Sequence, residues 1–194
     1  MTSGTVGILL AAGAGTRMGR PKALVTDRAG QPWVTRSAGV LRASGCDEVG
    51  VVIGAAGDLV AELLVDQQVS VIPSPQWQTG MGASLRAGLT WASTTTAESA
   101  LVHLVDLPDV GVDVVRRLLQ AAEGPESLAR ASYRGNAGHP VLIGRAHFGK
   151  AMAAAVGDRG AGPYLRQASC SLVPCDDLAT GNDQDLPSEG PRSP

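Results

Sequence analysis

The stretch Gly7–Val25, GILLAAGAGTRMGRPKALV, decides the fold, because an apolar run of strand length leads directly into a glycine loop. In an open α/β sheet, ligands bind beyond the carboxyl ends of the strands, so a loop in this place is positioned to contact one. Glycines let backbone N–H groups approach a ligand without an obstructing Cβ. Arg17 and Lys22 add positive charge that suits a triphosphate. The loop glycines are Gly13, Gly15 and Gly19.

Two common glycine loops do not match this stretch. A P-loop requires a Lys and then Ser or Thr after its last glycine, but Gly19 is followed by Arg20, and Lys22 by Ala23. The dinucleotide fingerprint GxGxxG fails because the third glycine comes one residue late, which disfavours an NAD-type oxidoreductase. The remaining alternative to a ligand loop is an ordinary βα turn with surface cations.

Composition limits the classes of partner. The 194 residues suit one α/β domain, and with 44% hydrophobic but only 3% aromatic residues the core must be aliphatic. The formal net charge of −2 provides no broad basic field for nucleic acid or an anionic membrane. We therefore predict small-molecule substrates, with neither nucleic acid nor membrane as a partner.

The cysteines indicate a reducing compartment. Cys46, Cys170 and Cys175 have no metal-type spacing, and although the last two could pair, nothing else in the sequence is typical of a secreted protein. A charge comes too early for a signal peptide, and no apolar run reaches membrane-spanning length. These features predict a cytoplasmic protein.

Continuous apolar runs alternate with segments of helical spacing, which predicts an α/β fold with a mainly parallel, doubly wound sheet. The predicted strands are Val6–Leu10, Val49–Gly54, Val69–Ile72, Ala100–Val105 and Pro140–Gly144. The predicted helices are Thr35–Gly45, Leu59–Asp66, Ala83–Ala92 and Val112–Gly124.

The C-terminal part departs from this alternation. Ala129–Ile143 predicts an antiparallel ribbon, and a helix follows near Ala146–Val156. We predict one domain over residues 1–186, with 1–110 mainly binding a nucleotide and 111–186 mainly binding an acceptor. Residues 187–194, rich in Ser, Pro and Gly, are predicted to be a flexible tail.

The string LLAAGAGTRMGRPKALV resembles the signature of nucleotidyltransferases with a GT-A-like fold, and most of all the molybdenum-cofactor cytidylyl- and guanylyltransferase (MobA/MocA-like) family. Four further stretches follow in that family's order: Gln78–Leu89, Leu104–Val110, Gly135–Ile143 and Gly157–Gly162. The resemblance implies a three-layer α/β/α, Rossmann-like nucleotide-diphospho-sugar transferase fold with a mainly parallel, mixed sheet. It also implies attack by an acceptor phosphate on the α-phosphorus of a nucleoside triphosphate, with Mg²⁺ as cofactor and release of pyrophosphate.

Asp106 is the first candidate metal ligand, because it closes an apolar run and should emerge at the carboxyl end of a central strand. The alternative is a turn or helix cap, a role that Asp109 could also fill before the next helix. The resemblance implies a second ligand, Asp185, which with Asp183 matches the family's acidic pair although Leu186 replaces a threonine. A solvated acidic tail is the alternative for these two acids.

The resemblance implies a nucleotide-binding set and, within or beside it, a catalytic set. Gly80, Gly82 and Ser84 precede or begin a helix, where amides and a hydroxyl could contact ribose or base; the alternative is a loop that permits tight entry into that helix. The nucleotide-binding set is Leu10, Ala11, Ala12, Gly13, Gly15, Arg17, Lys22, Gly80, Gly82 and Ser84. The catalytic set is Arg17, Lys22 and Asp106.

Base choice depends on one methyl group. The guanylyl branch carries two consecutive glycines where this chain has Ala12 and Gly13. A methyl at Ala12 should narrow the base site and favour a pyrimidine, since forcing in a purine costs about 1–3 kcal/mol when it overpacks a site.

The acceptor-binding candidates are His139, Asp158 and Arg159. His139 should lie at the mouth of the ribbon, where an imidazole could hydrogen-bond the acceptor phosphate; a turn histidine bonded to the backbone is the alternative. Asp158 and Arg159 suit a phosphate or a pterin edge, or a plain loop between helices. His103 and His147 are predicted to be structural.

Together these features predict a Mg²⁺-dependent enzyme that transfers CMP from CTP to a phosphorylated acceptor, with molybdopterin first and a molybdoenzyme as candidate partner. GTP-dependent transfer to molybdopterin, or transfer to a sugar or polyol phosphate, are alternatives within the enzyme class. A non-catalytic module that binds and delivers a nucleotide or cofactor is an alternative outside it.

Overall fold

A computed structural model describes residues 4–184. The predicted ligand Asp185 and the predicted tail 187–194 lie outside the described residues.

One seven-stranded sheet forms the centre of the molecule, in the order β3-β2-β1-β4-β6-β5-β7. The strands are β1 (Thr5–Leu10), β2 (Val49–Ile53), β3 (Ser70–Pro73), β4 (Ser99–Leu104), β5 (Leu128–Tyr133), β6 (Asn136–Gly144) and β7 (Ser171–Pro174). β1 pairs in parallel with both β2 and β4, and β2 in parallel with β3. β6 runs antiparallel to β4 and β5, while β7 is parallel to β5. The predicted mixed, mostly parallel sheet and its antiparallel ribbon are confirmed.

Helices cover both faces of this sheet. They are α1 (Trp33–Ala43), α2 (Gly57–Glu62), α3 (Met81–Thr94), α4 (Val112–Leu119), α5 (Phe148–Ala154) and α6 (Gly162–Gln167). A Cβ added to Gly7 of β1 would lie 3.3 Å from Leu41 of α1, whereas one on Gly88 of α3 would lie 2.6 Å from Ile8. Successive residues of a strand point to opposite faces, so α1 and α3 cover opposite sides and the architecture has three layers. None of the helices described in residues 4–184 is long and apolar enough to cross a membrane.

Burial on both faces explains why the central strands appear in the sequence as continuous apolar runs. Every residue of β1 and of β4 is buried, and the largest side chains there are aliphatic, such as Ile8, Leu9 and Leu101. This core fixes the carboxyl ends of β1 and β4 beside each other, since Leu10 is in register with Leu104.

Two elements were not predicted from the sequence. β7 lies at one edge of the sheet, pairs only with β5 among the strands of residues 4–184 and keeps most of its residues exposed. Because an exposed four-residue edge strand needs no apolar run, the sequence contains no signal for it. α6 begins next to Pro163 and is only six residues long, too short to show a helical period. The strand at the opposite edge, β3, also has four residues, and both edge strands end in proline, Pro73 and Pro174.

Candidate active site

A first cavity of about 500 Å³ lies at the carboxyl ends of β1 and β4. Its walls come from the loop after β1, from the turn that leads into α3 and from the residues that follow β4. The lining residues that the sequence singled out are Leu10, Ala12, Gly13, Gly15, Arg17, Lys22, Gly80, Ser84, Asp106 and Asp158. Residues far apart in the chain therefore converge on one site.

Glycine is required at one position of the first loop and leaves open space at another. Gly15 has φ of +61°, and a Cβ there would overlap the carbonyl oxygen of Arg20. Any other residue would thus force the loop to open. A Cβ on Gly13, by contrast, would have no neighbour within 4 Å, because this glycine faces the cavity.

Two residues of the predicted nucleotide-binding set do not line the cavity. Ala11 is buried and donates its N–H to the carbonyl of Val52. Gly82 is also buried, and a Cβ there would lie 2.5 Å from the carbonyl oxygen of Ala155. Gly82 therefore permits the start of α3 to pack closely against the chain at Ala155.

The turn before α3 approaches the loop that carries Asp158. Gly80 has φ of +109°, and a Cβ on it would lie 2.6 Å from Oδ1 of Asp158. Gly80 and Asp158 both line the first cavity, whereas Arg159 lines a different one. Asp158 therefore lies on the nucleotide side of the site, next to the turn before α3.

Lys22 and Asp106 form an ion pair inside the first cavity. The Lys22 Nζ donates to Asp106 Oδ2 at 2.6 Å, and the two side chains are only 17% and 18% exposed. Asp106 does not cap α4, because the N-cap of that helix is Gly111 and has no side-chain hydrogen bond. The alternative role of Asp106 as a helix cap is therefore not observed.

The chain returns to Asp106 near its C-terminal end. Asp109 Oδ2 accepts hydrogen bonds from the backbone N–H and the hydroxyl of Thr180, both at 2.6 Å. Four residues later the N–H of Gln184 donates to the carbonyl of Asp106 at 2.9 Å. Asp183 and Gln184 therefore lie next to the end of β4, directly before the predicted ligand Asp185 in the chain.

The donor set fits a divalent cation that binds together with phosphates. No group of three or more His, Cys, Asp or Glu residues suited to a metal occurs within residues 4–184. Mg²⁺, however, usually takes only one or two protein carboxylates and completes its shell with water and substrate phosphates. Asp106 in the wall of the first cavity, with Gln184 bonded to its carbonyl, fits that requirement.

A second cavity of about 350 Å³ adjoins the first and shares Leu10 and Met81 with it. Of the predicted acceptor-binding residues, His139 and Arg159 line this second cavity, while Asp158 lines the first. His139 lies on β6, two residues before the Val141 that pairs with Val102 of β4, and so near the end of β4 where Asp106 follows.

His139 presents a neutral imidazole. Burial lowers its pKa to about 4, the Arg130 guanidinium adds to this, and Asp106 partly offsets it. Tyr133 donates its hydroxyl hydrogen to the backbone carbonyl of His139 at 2.9 Å. Within residues 4–184 the imidazole itself has no backbone hydrogen bond, so the turn-histidine alternative is not observed.

The other two histidines differ in their surroundings. His147 contacts the Tyr164 hydroxyl at 2.5 Å and the Glu126 carbonyl at 3.1 Å, and thereby links two segments of the chain. His103 is fully buried in β4, and neither ring nitrogen has a hydrogen-bond partner among the described residues. Burial lowers the pKa of His103 to about 3.

Sequence reasoning missed several lining residues. Trp77 and Gln78 lie in the wall of the first cavity and directly precede the glycines at 80 and 82, which was the available signal. Arg130 and Arg166 line the second cavity, and no sequence pattern singles them out.

Known proteins similar to this chain point to one family, but two of these relatives are named for different activities. The family profile described as the MobA-like NTP transferase domain matches residues 7–172. The nicotine blue oxidoreductase of Paenarthrobacter nicotinovorans is 38% identical over 190 residues, which cover 92% of this chain and 91% of that protein. The molybdenum cofactor guanylyltransferase of Rhodobacter capsulatus is 38% identical over 130 residues, covering 66% of this chain and 64% of that protein.

Solved structures agree on the fold. Rv0371c from Mycobacterium tuberculosis H37Rv superposes with a TM-score of 0.82 at 25% identity, covering 96% of this chain and 94% of that one. A complex of Rv0371c with manganese gives a TM-score of 0.72 at 24% identity over 89% of this chain and 88% of that one. These likenesses extend over nearly all of the sheet and its helices.

Proposed function

The chain belongs to the family of MobA-like NTP transferase domains and is an enzyme of the nucleotidyltransferase type, and on that premise we propose that it transfers CMP from CTP to a phosphorylated acceptor and releases pyrophosphate. Molybdopterin is the first acceptor we propose, since a relative is named for the molybdenum cofactor. The observation that carries the proposal is the Lys22–Asp106 pair inside a cavity walled by a glycine loop.

In this proposal the nucleotide occupies the first cavity and the acceptor the second. The lining supports the division, because all described residues of the first cavity except Asp158 come from residues 1–110, and most of those of the second from residues 111–186. A cytoplasmic location, supported by three free thiols, and delivery of the product to a molybdoenzyme are parts of the same proposal.

The first loop would hold the triphosphate. Backbone amides beside Gly13 and Gly15 can approach phosphate oxygens closely, and Arg17 and Lys22 offset their negative charge. Asp106, with Asp185 as the predicted second ligand, would hold a divalent cation, which when bound neutralises charge on the phosphate oxygens. Manganese in a complex of Rv0371c supports a divalent cation of this kind, and we propose Mg²⁺.

The acceptor would approach from the side of His139. A phosphate nucleophile is already anionic, so His139 is not needed as a base; its neutral ring can donate one hydrogen bond that orients the phosphate. Arg159 supplies positive charge on the same side, and Asp158 can accept a hydrogen bond from the nucleotide or the acceptor at the boundary of the two cavities.

The base preference rests on Ala12. Its side chain is buried in the wall of the first cavity, and its carbonyl accepts the N–H of Ala55 at 3.0 Å, which holds the strand end in place. Because this part of the cavity wall is fixed, it favours binding of the smaller pyrimidine base over a purine. GTP is the alternative, and the guanylyltransferase name of the relative from Rhodobacter capsulatus favours it.

A thermal-shift series tests the nucleotide. We expect CTP with Mg²⁺ to raise the Tm more than GTP, ATP or UTP, because the ligand with the lowest Kd stabilises the folded state most. In the Ala12→Gly variant, the rise in Tm with GTP should come closer to the rise in Tm with CTP. Equal shifts for CTP and GTP in the wild-type chain would remove the argument from Ala12. Stabilisation by CTP without pyrophosphate release on addition of molybdopterin would favour a delivery module instead.

An oxidoreductase activity is the second candidate function, because the relative that covers most of this chain carries that name. Asp106→Asn separates the two chemistries. Transfer that uses a carboxylate-held cation should lose at least about a hundredfold in pyrophosphate release in this variant. Hydride transfer from NADH or NADPH to a dye needs no such cation and should persist. Dye reduction in the wild type that is retained in Asp106→Asn, with no pyrophosphate release from either, would establish the second candidate.

A further inference from the structure

The second cavity contains two arginines, Arg130 and Arg166, that the proposed transfer does not use. Three arginines line it, Arg130, Arg159 and Arg166, together with the neutral His139, and no carboxylate is among its lining residues. Arg130 is half-buried, whereas Arg159 and Arg166 are exposed at the rim.

The arginines lie apart from the nucleotide side, because Arg130 and Arg166 line the second cavity and neither lines the first. Asp106 and Arg130 each act electrostatically on His139, and Arg166 in turn acts on Arg130. A Cβ added to Gly162 would lie 3.4 Å from Nη1 of Arg166, so this guanidinium folds back over the first turn of α6.

The two guanidinium groups have no counter-anion in the described part of the chain. Arg130 donates from Nε and Nη2 to one acceptor, the carbonyl of Gly138, at 3.1 and 3.0 Å. No ion pair joins Arg130 or Arg166 to an acidic residue within residues 4–184. Burial lowers the pKa of Arg130, and Arg166 lowers it further. An anion that binds between the half-buried Arg130 and the exposed Arg166 would relieve the repulsion between their like charges.

The second cavity also has apolar surface beside these charged groups. Leu10, Leu85, Val102, Val141 and Ile143 contribute side chains to its wall. A ligand that fills it therefore needs an apolar-faced body as well as charge.

We propose that Arg130 and Arg166 bind a second anionic group of the acceptor, separate from the phosphate that reacts. The substrate class is then a phosphorylated molecule with an apolar-faced body and a further anionic group. The identity of this ligand as the acceptor rests on the proposed function; the anion site itself does not.

Binding of two matched probes tests this site without any nucleotide. Naphthalene-2-sulfonate combines a flat apolar body with one anion, and naphthalene-2-sulfonamide is its neutral counterpart. Titration calorimetry should show tighter binding of the sulfonate to the wild-type chain. Arg166→Gln and Arg130→Gln should each weaken sulfonate binding by about tenfold or more and leave the sulfonamide unchanged.

One control locates the effect. Lys150→Gln removes the same charge from an exposed position of α5 that lines neither cavity. This variant should bind the sulfonate within about twofold of the wild type. Arg166→Gln is the decisive variant, because Arg130 also bonds the Gly138 carbonyl and its loss could disturb the ribbon.

Wild-type sulfonate affinity in Arg166→Gln, or equal affinity of the wild-type chain for the two probes, would overturn the assignment. The result is independent of the transferase proposal. If the wild-type chain binds no nucleoside triphosphate while Arg166→Gln still weakens sulfonate binding, that pair of results would support the anion site and contradict the proposed reaction.

Discussion

At the scale of single residues, the two glycines of the first loop have separable roles. Gly15→Ala should lower the free energy of unfolding by at least about 1–2 kcal/mol, since a Cβ is strained at positive φ and would also meet the Arg20 carbonyl. Gly13→Ala should leave stability within about 0.5 kcal/mol, because its Cβ points into open space.

Urea unfolding measures the stability of Gly13→Ala and Gly15→Ala, and titration with CTP measures their nucleotide affinity. Gly13→Ala should weaken CTP binding despite its normal stability, because the new methyl takes room from the phosphates. If Gly13→Ala bound CTP like the wild type, this side of the loop would not contact the nucleotide.

Residue positions that depend on chain order were predictable, whereas those that depend on register were not. Asp106 follows a buried strand directly, and Lys22 follows the loop of the neighbouring strand, so their meeting needs only a parallel sheet. Arg130 reaches the second cavity because it pairs with Val141 across an antiparallel ribbon that contains a bulge between Arg130 and Ser132. No local pattern specifies that register, and a slip of one residue would turn Arg130 to the other face.

At the scale of elements, the C-terminal segment depends on Asp109. Asp109→Ala removes two hydrogen bonds to Thr180 and should lower the free energy of unfolding by about 1 kcal/mol. It should also weaken the apparent affinity for Mn²⁺ titrated in the presence of CTP, since the segment that contains Asp183 and Gln184 would no longer be held near Asp106.

The control for this variant is Asp113→Ala. Asp113 is 77% exposed and contacts only Arg116 at 3.9 Å among the described residues, so its loss should change stability by less than about 0.5 kcal/mol and leave metal affinity alone. Wild-type Mn²⁺ affinity in Asp109→Ala would show that the C-terminal segment does not contribute to the metal site.

Elements buried on both faces were predictable, and the short peripheral ones were not. The continuous apolar runs of β1 and β4 and the helical spacing of α3 are set by the core and are visible in the sequence. β7 and α6 are held by pairing and packing partners elsewhere in the chain, which a local pattern cannot represent.

At the scale of the whole molecule, the buried His103 and the half-buried His139 make stability depend on pH. His103 and His139 have pKa values of about 3 and about 4 when folded, both lowered by burial from the ordinary 6.5. Below pH 6.5 both histidines become protonated in the unfolded chain but stay neutral in the folded chain. The free energy of unfolding therefore decreases as the pH is lowered, until each folded pKa is reached. Between pH 7 and pH 5.5 we expect a loss of about 1 kcal/mol per histidine.

Urea unfolding at these two pH values checks this expectation. His103→Leu, which fills the same space without ionising, should remove about half of the loss, and His139→Asn the other half. If His103→Leu lost as much stability as the wild type on acidification, His103 would already be protonated in the folded state.

The two outermost strands have a consequence for self-association. An unpaired strand edge offers its N–H and carbonyl groups to another sheet, and long flat edges of this kind seed aggregates. β3 and β7 each present only four residues, and the proline that ends each strand has no N–H to donate. The sheet thus limits fibril-like growth at both borders, even where Val71 and Leu172 leave apolar side chains uncovered.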